Sequence, residues 1–392
     1  MKKRILITGA GVVSAIGNNC RECLEALQQG RSGISSVQYL KTVHKEFPVG
    51  EVKMSNGEMC RMLGISDEKP CSRTALLGIL ALREALADAR LNGQELALVS
   101  GTTVAGMDMT EEAYPDRLSK AILEGHDCGS CTNLIADYFG CFDFTSTIST
   151  ACSSALNAVI YGARLIEAGL RDIVVVGGTE ALSRFHLNGF KSLMILDEAP
   201  CRPFDATRAG LNLGEGAAYL VLESEASVRE RGIHPIGELK GTGNACDAFH
   251  QTASSPEGEG AFLAMGEALR EAGLEPWEVQ YVNAHGTGTP NNDASESAAL
   301  RRIFSCWLPP VSSTKGLTGH TTSASGSIEA VFCLLALRHQ FIPRNQGFTA
   351  ADAECLSPYT GGSFGQPLRN VLCNSFGFGG NDSSIIIGAY GE

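Results

Sequence analysis

Short continuous apolar runs alternate along the chain with longer stretches in which apolar residues return every third or fourth position. The runs at 5–8, 96–102, 173–178 and 214–222, most of them closed by glycine, predict strands buried on both faces. Further strands are expected at 279–284 and, as the last of the chain, at 371–374. The spacing predicts helices over 19–28, 71–90, 259–272 and 325–339. Residues 144–149 are rich in β-branched side chains, and Leu156, Val159, Ile160, Ala163 and Ile166 then recur at helical spacing up to Gly169. A strand therefore hands over to a helix around Thr150-Ala151-Cys152-Ser153-Ser154-Ala155. Each half of the chain alternates strands with amphipathic helices, and no Pro- or Ser-rich linker divides them. This pattern predicts an α/β protein with two related halves sharing one layered core.

Composition narrows the functions available. With 44% hydrophobic and 19% charged residues, 392 residues can bury a large core. A net charge of -12, from 31 basic and 43 acidic residues, argues against a general nucleic-acid binder and against docking on anionic lipid. Met1-Lys2-Lys3-Arg4 before an apolar run has the outline of an export signal. Gly9, Gly11 and Gly17 interrupt that run, and it is read as the first strand. No stretch approaches the roughly 20 apolar residues of a membrane span. Fourteen cysteines in such a chain are expected as free thiols in the cytoplasm. Cys20/Cys23 and Cys128/Cys131 have C-x-x-C spacing, but one pair falls in a helical pattern and no ligand histidine accompanies the other, so no metal site is expected.

Ile5-Leu6-Ile7-Thr8-Gly9-Ala10-Gly11 has the look of a dinucleotide-binding start. The acidic residue that a ribose requires is missing from 32–41, so a strand and a tight turn with close-packed glycines is preferred. Other stretches carry chemistry. Cys152 sits at a helix start, where unpaired N–H groups favour a thiolate, though a small packing residue would occupy the same place. Two of only eight histidines stand at strand or loop ends: His285 in Asn283-Ala284-His285-Gly286-Thr287-Gly288-Thr289, and His320 in Thr314-Lys315-Gly316-Leu317-Thr318-Gly319-His320. Asn374-Ser375-Phe376-Gly377-Phe378-Gly379-Gly380 forms a glycine-rich turn around two aromatics.

Together these stretches resemble the elongating β-ketoacyl-acyl-carrier-protein synthases of the thiolase-like superfamily. The resemblance spans nearly the whole chain, also taking in Gly30-Arg31-Ser32-Gly33, Gly177-Gly178-Thr179-Glu180, Arg202-Pro203-Phe204-Asp205 and Gly214-Glu215-Gly216-Ala217. It implies a thiolase-like αβαβα body, divided as an N-terminal half, 1–235, with the nucleophile and a C-terminal half, 236–392, with the histidines. Cys152 would hold an acyl chain as a thioester, its pKa lowered by the helix start. The backbone N–H groups of Cys152 and Phe378 would form the oxyanion hole. His285 and His320, as neutral imidazoles, would hold the carbonyl oxygen of malonyl thioester while carbon dioxide leaves. Paired histidines separate this group from degradative thiolases and chain-initiating synthases, and the cysteine separates it from non-catalytic chain-length subunits.

The resemblance extends to the supporting residues. Lys315 and Glu329 match a charged pair beside the second histidine, which from the residues alone could equally be structural. Thr287 and Thr289 match hydroxyls for the phosphopantetheine arm, Phe378 with Gly377 and Gly379 the gate of the acyl pocket, and Asp247 and His250 a polar pair near its mouth. No bound cofactor or metal is implied, since acyl carrier protein brings the substrates. A homodimer, or a heterodimer with a related ketosynthase-like subunit, is implied as well. Because carrier proteins are acidic, Arg61, Arg73, Lys191 and Arg208 are candidates for a local basic patch. The chain departs from the family pattern at Asp143-Phe144, Arg208-Ala209-Gly210-Leu211, Ser323-Ala324-Ser325-Gly326 and Gly379-Gly380-Asn381-Asp382. These positions surround the acyl pocket, which leaves room for a specialised polyene or polyketide chain beside fatty-acid elongation. The alternatives are an idle chain-length partner and a thiolase-like acyltransferase that does not decarboxylate.

Overall fold

A computed structural model of the protein describes residues 3–66, 71–91, 93–362 and 365–391; Met1 and Lys2 of the basic start lie outside them. Among the described residues ten strands follow in chain order: β1 (Ile5–Ser14), β2 (Leu96–Gly101), β3 (Phe142–Ile148), β4 (Ile173–Glu180), β5 (Gly216–Ser224), β6 (Gly237–Cys246), β7 (Tyr281–Asn283), β8 (Val311–Ser312), β9 (Asn370–Gly377) and β10 (Asn381–Gly388). They hydrogen-bond in the order β3-β2-β4-β5-β1-β6-β10-β9-β7-β8. The first five strands and the last five repeat one order, mirrored about the β1–β6 junction. The pairing senses repeat too: β1–β5 and β5–β4 are antiparallel, as are β6–β10 and β10–β9, while the outer pairs are parallel.

Helices separate and cover these strands. Ser154–Glu167 and Ser325–His339 pack on each other between the two sets of strands, in one apolar cluster with residues of β1, β4, β5, β9 and β10. Arg73–Asp88 covers the far face of the first set. Glu259–Ala272 and Pro290–Ile303 cover the far face of the second. Helix Ser325–His339 is buried from Ser325 to Leu337. That explains why its sequence reads apolar on every side: it has strands on two faces and a helix on a third. The molecule has the mixed α/β layering of the thiolase-like fold.

Several elements depart from the sequence reading. The last strand is β10 and not the 371–374 run, which is the middle of β9. The glycines of the first motif make no turn. β1 continues through Gly9 and Gly11 after a register shift between Ile7 and Gly9, and a Cβ there would lie 2.4 Å from Ala85 O or 2.1 Å from Ala81 O. They admit helix Arg73–Asp88 into contact with the strand, which a nucleotide-binding turn would not do.

Candidate active site

The nucleophile turn begins where β3 ends. Ala151 adopts a left-handed backbone, φ 52°, which reverses the chain and carries Cys152 inward before the helix starts at Ser154. Polar groups hold this conformation. Ser154 Oγ donates to Ala151 O (2.6 Å), Ser375 Oγ donates to Cys152 O (2.9 Å), and Asn157 Nδ2 donates to Thr150 Oγ1 (2.9 Å). Asn381, one of the departures from the family pattern, accepts from Asn157 Nδ2 at 2.6 Å and so ties this turn to the glycine-rich one.

Three distant stretches converge on the sulfur. His320 Nε2 lies 3.1 Å from Cys152 Sγ, and the rings of His285 and His320 meet edge to face with centroids 5.3 Å apart. One donor atom from each of the three residues falls within 4.8 Å of the others. All three are buried. His285 follows β7, and its loop is pinned by Glu296, which accepts from the backbone N–H of His285 (2.9 Å) and of Gly286 (2.8 Å). Lys315 Nζ lies 3.4 Å from His285 Nδ1 and donates to Glu329 Oε1 at 2.5 Å.

Burial governs the protonation states. It holds both imidazoles well below their ordinary pKa, helped by the Lys315 ammonium, so both are neutral. Here the structure corrects the sequence reading of Cys152. Its thiol is pushed up to about 11 by burial, and Lys315 and the backbone N–H groups of Phe378 and Cys152 only partly oppose that. The cysteine sits buried ahead of the helix cap Ser153, so desolvation outweighs the helix terminus. The Glu329 carboxyl is likewise raised by burial to about 7 despite the ammonium beside it.

A cavity of about 330 Å³ opens onto the three residues. Phe190, Leu193, Ile195, Leu211 and Phe376 make it apolar, and Thr287, Thr289 and the 252–254 loop give it a polar side. Phe378 lines it too, stacked on Phe190 at 5.8 Å with 19° between the rings, beside Gly377 and Gly379. Gly379, φ 83°, and Gly380, φ 76°, make a turn there that side chains would strain. Asp247 and His250 stand outside the lining. Asp247 Oδ2 accepts from Ser255 N (2.8 Å) and His250 Nδ1 from Thr252 N (3.2 Å), so both shape the loop that lines it.

Two docking candidates are overturned. Arg73 is buried in an ion pair with Glu215 at 2.6 Å, and Arg208 is buried against Asp352 and the carbonyl of Asp205. Neither can meet a partner's surface. Arg61 and Lys191 are exposed, Lys191 within 3.3 Å of Glu46. All fourteen cysteines are free, and both C-x-x-C pairs lie along helices. Among the described residues no helix is long and apolar enough to cross a membrane.

Sequence reasoning missed Glu296 and the role of Ser325, whose hydroxyl lies 3.0 Å from His320 Nδ1. A signal for Glu296 existed: with Asp293, Ser297 and Leu300 it shares the buried side of helix Pro290–Ile303. A carboxylate on that side implies backbone donors facing it.

A buried thiol against two neutral imidazoles, in a thiolase-like body, is the equipment of an acyltransferase that works through a thioester. Residues 2–227 match the beta-ketoacyl synthase N-terminal domain, and residues 236–349 the beta-ketoacyl synthase C-terminal domain. The chain is 32% identical over 412 residues to the 3-oxoacyl-[acyl-carrier-protein] synthase 2 of Synechocystis sp., covering 99% of each. It is also 32% identical over 406 residues to the protein of that name from Staphylococcus aureus, covering 98% of each. Among solved structures it matches the ishigamide ketosynthase/chain length factor over all of both chains, with TM-score 0.91 and 30% identity. It matches the Xenorhabdus doucetiae ketosynthase ApeO in complex with its chain length factor ApeC at TM-score 0.84 and 33% identity, covering 99% of this chain and 98% of the other. The chain belongs to the beta-ketoacyl synthase family, and Cys152, His285 and His320 form its catalytic triad.

Proposed function

We propose that the protein condenses an acyl chain held on Cys152 with malonyl-acyl-carrier protein, with loss of carbon dioxide, to give the 3-oxoacyl-carrier product. The observation that carries this reading is the pair of neutral histidines beside the thiol. Cys152 Sγ attacks the acyl thioester, and the carbonyl oxygen takes its negative charge between the N–H groups of Cys152 and Phe378. The pantetheine sulfur leaves and takes up the thiol proton. Malonyl thioester follows. Its carboxylate carbon departs as carbon dioxide and leaves the bonding pair on an enolate, whose oxygen accepts N–H groups from both imidazoles. The enolate carbon then bonds to the acyl carbonyl, and Cys152 leaves as thiolate and is reprotonated. Thr287 and Thr289, 2.8 Å apart at their hydroxyls on the cavity lining, suit the pantetheine arm, and Phe378 suits a gate over the acyl pocket. Asp247 and His250 act as supports of the loop at its mouth. Lys315 and Glu329 tune the site, Lys315 as the donor that orients His285.

The same reading treats 1–235 and 236–392 as related halves, supported by the repeated strand order. It places the chain in the cytoplasm with acyl carrier protein as donor, and in a pair with a second ketosynthase-like subunit. Similarity to ketosynthase–chain length factor pairs supports a related subunit over a second copy. The apolar cavity, lined by Leu211 from one of the departing stretches, favours a specialised polyene or polyketide chain.

Intact-protein mass spectrometry with a panel of acyl-carrier proteins, then malonyl-carrier protein, tests this beside Cys152→Ala. The expected result is an acyl adduct on the wild type alone, then a carrier product two carbons longer. An adduct that transfers without loss of carbon dioxide overturns decarboxylative condensation. Absence of any adduct, with the related subunit added, marks the chain as an idle partner.

A further inference from the structure

Ser325 opens helix Ser325–His339 and is buried to 1% exposure. Its hydroxyl lies 3.0 Å from His320 Nδ1 and 3.1 Å from Thr321 Oγ1. Across the same ring, Nε2 faces Cys152 Sγ at 3.1 Å. A neutral imidazole carries one N–H, and the partner of one nitrogen decides which of the two bears it. For His285 that partner is an ammonium: Lys315 Nζ only donates, so Nδ1 accepts and the N–H sits on Nε2. Among the described residues no such cation meets His320 Nδ1. It has a hydroxyl, which can donate or accept.

The neighbouring hydroxyls permit the direction that the reaction needs. Thr321 Oγ1 can donate to Ser325 Oγ, which leaves the Ser325 proton for His320 Nδ1. His320 Nε2 then carries its N–H toward the sulfur and the cavity. With the hydroxyl reversed, a lone pair on Nε2 would confront the enolate oxygen, and only His285 would donate to it. We propose that Ser325 is a positioning residue that fixes His320 in the Nε2–H form, so that both imidazoles offer an N–H to one substrate oxygen. A hydroxyl does this without adding charge. A carboxylate in its place would draw the proton to Nδ1 and favour the imidazolium. The neighbouring departure has a separate task, since Ser323 Oγ donates to Glu180 on the far side of the loop. The inference rests on the reading of His320 as a donor to the enolate.

The test uses full-length protein labelled with ¹⁵N-histidine, as wild type, Ser325→Ala and Ser325→Thr, with His320→Gln to assign the signals. Wild-type His320 is expected to show a protonated Nε2 and a bare Nδ1, Ser325→Ala a mixture, and Ser325→Thr the wild-type pattern. In parallel, kcat for condensation in Ser325→Ala falls roughly 10- to 100-fold, as for loss of one donor at a developing oxyanion. Acylation of Cys152 falls by no more than about threefold, because two backbone N–H groups also serve the sulfur. A wild-type spectrum with the proton on Nδ1, or a Ser325→Ala kcat within about twofold of wild type, overturns the proposal. If the wild type forms acyl-enzyme but never condenses, the functional reading fails, and the spectrum still decides the tautomer.

Discussion

Cys152 is a protonated thiol at rest, and its reactivity comes from what surrounds it when substrate displaces water. With the thiol at about 11, the thiolate fraction rises about tenfold per pH unit below that value. Alkylation of Cys152 by iodoacetamide is therefore expected to accelerate with a slope near one from pH 7 to pH 10, without a plateau. A plateau near pH 7 would mean that the turn stabilises the thiolate unaided. The residue types were legible in the sequence: a cysteine after a β-branched run, and histidines among glycines and threonines. Their protonation was not. A helix start argued for a low thiol pKa, but desolvation depends on what closes over the sulfur, and Phe376, His285 and His320 come from the other half of the chain.

Among the elements, the contact between the two central helices sets the site, because one begins just after Cys152 and the other just after His320. They approach through Gly326, where a Cβ would lie 2.7 Å from Leu156 Cβ and 3.0 Å from Leu156 N. Gly326→Ala must push the helices apart and is expected to cost about 1–3 kcal/mol in urea unfolding. It also lengthens the 3.1 Å separation of His320 and Cys152, which slows acylation. Unchanged stability would mean that the helices slide past one another without loss. The sequence reading of 259–272 and 325–339 as helices has the ends the structure has, because helix formation is written in local residue order. Strands β6, β8 and β10 were not anticipated. β8 is two residues long, and β6 and β10 mix glycine, polar and apolar residues that only pairing makes into strands.

The whole molecule pays for its polar interior in a pH-dependent way. Burial, with Asp247 and Glu296 nearby, raises the Asp382 carboxyl to about 8 from an ordinary 3.8, so the folded state binds a proton that the unfolded state has released. Its contribution to stability is fully present below 3.8 and is lost as the pH rises toward 8. Asp382→Asn removes this dependence. Its gain in Tm over wild type is expected to be small at pH 5, to grow up to pH 8, and to level off above it. A gain that stays constant with pH would show that Asp382 carries no raised pKa. The alternation of strands and helices, the two similar halves, the family and the identity of the triad are legible in residue order, because each is written in local periodicity or a short motif. Packing alone makes Arg73 and Arg208 buried ion-pair partners, lets Gly9 and Gly11 admit a helix, and turns Ser325 toward His320. Those facts depend on which surfaces meet across about 70 or more residues of chain or within the active site, and periodicity along the chain carries no information about either.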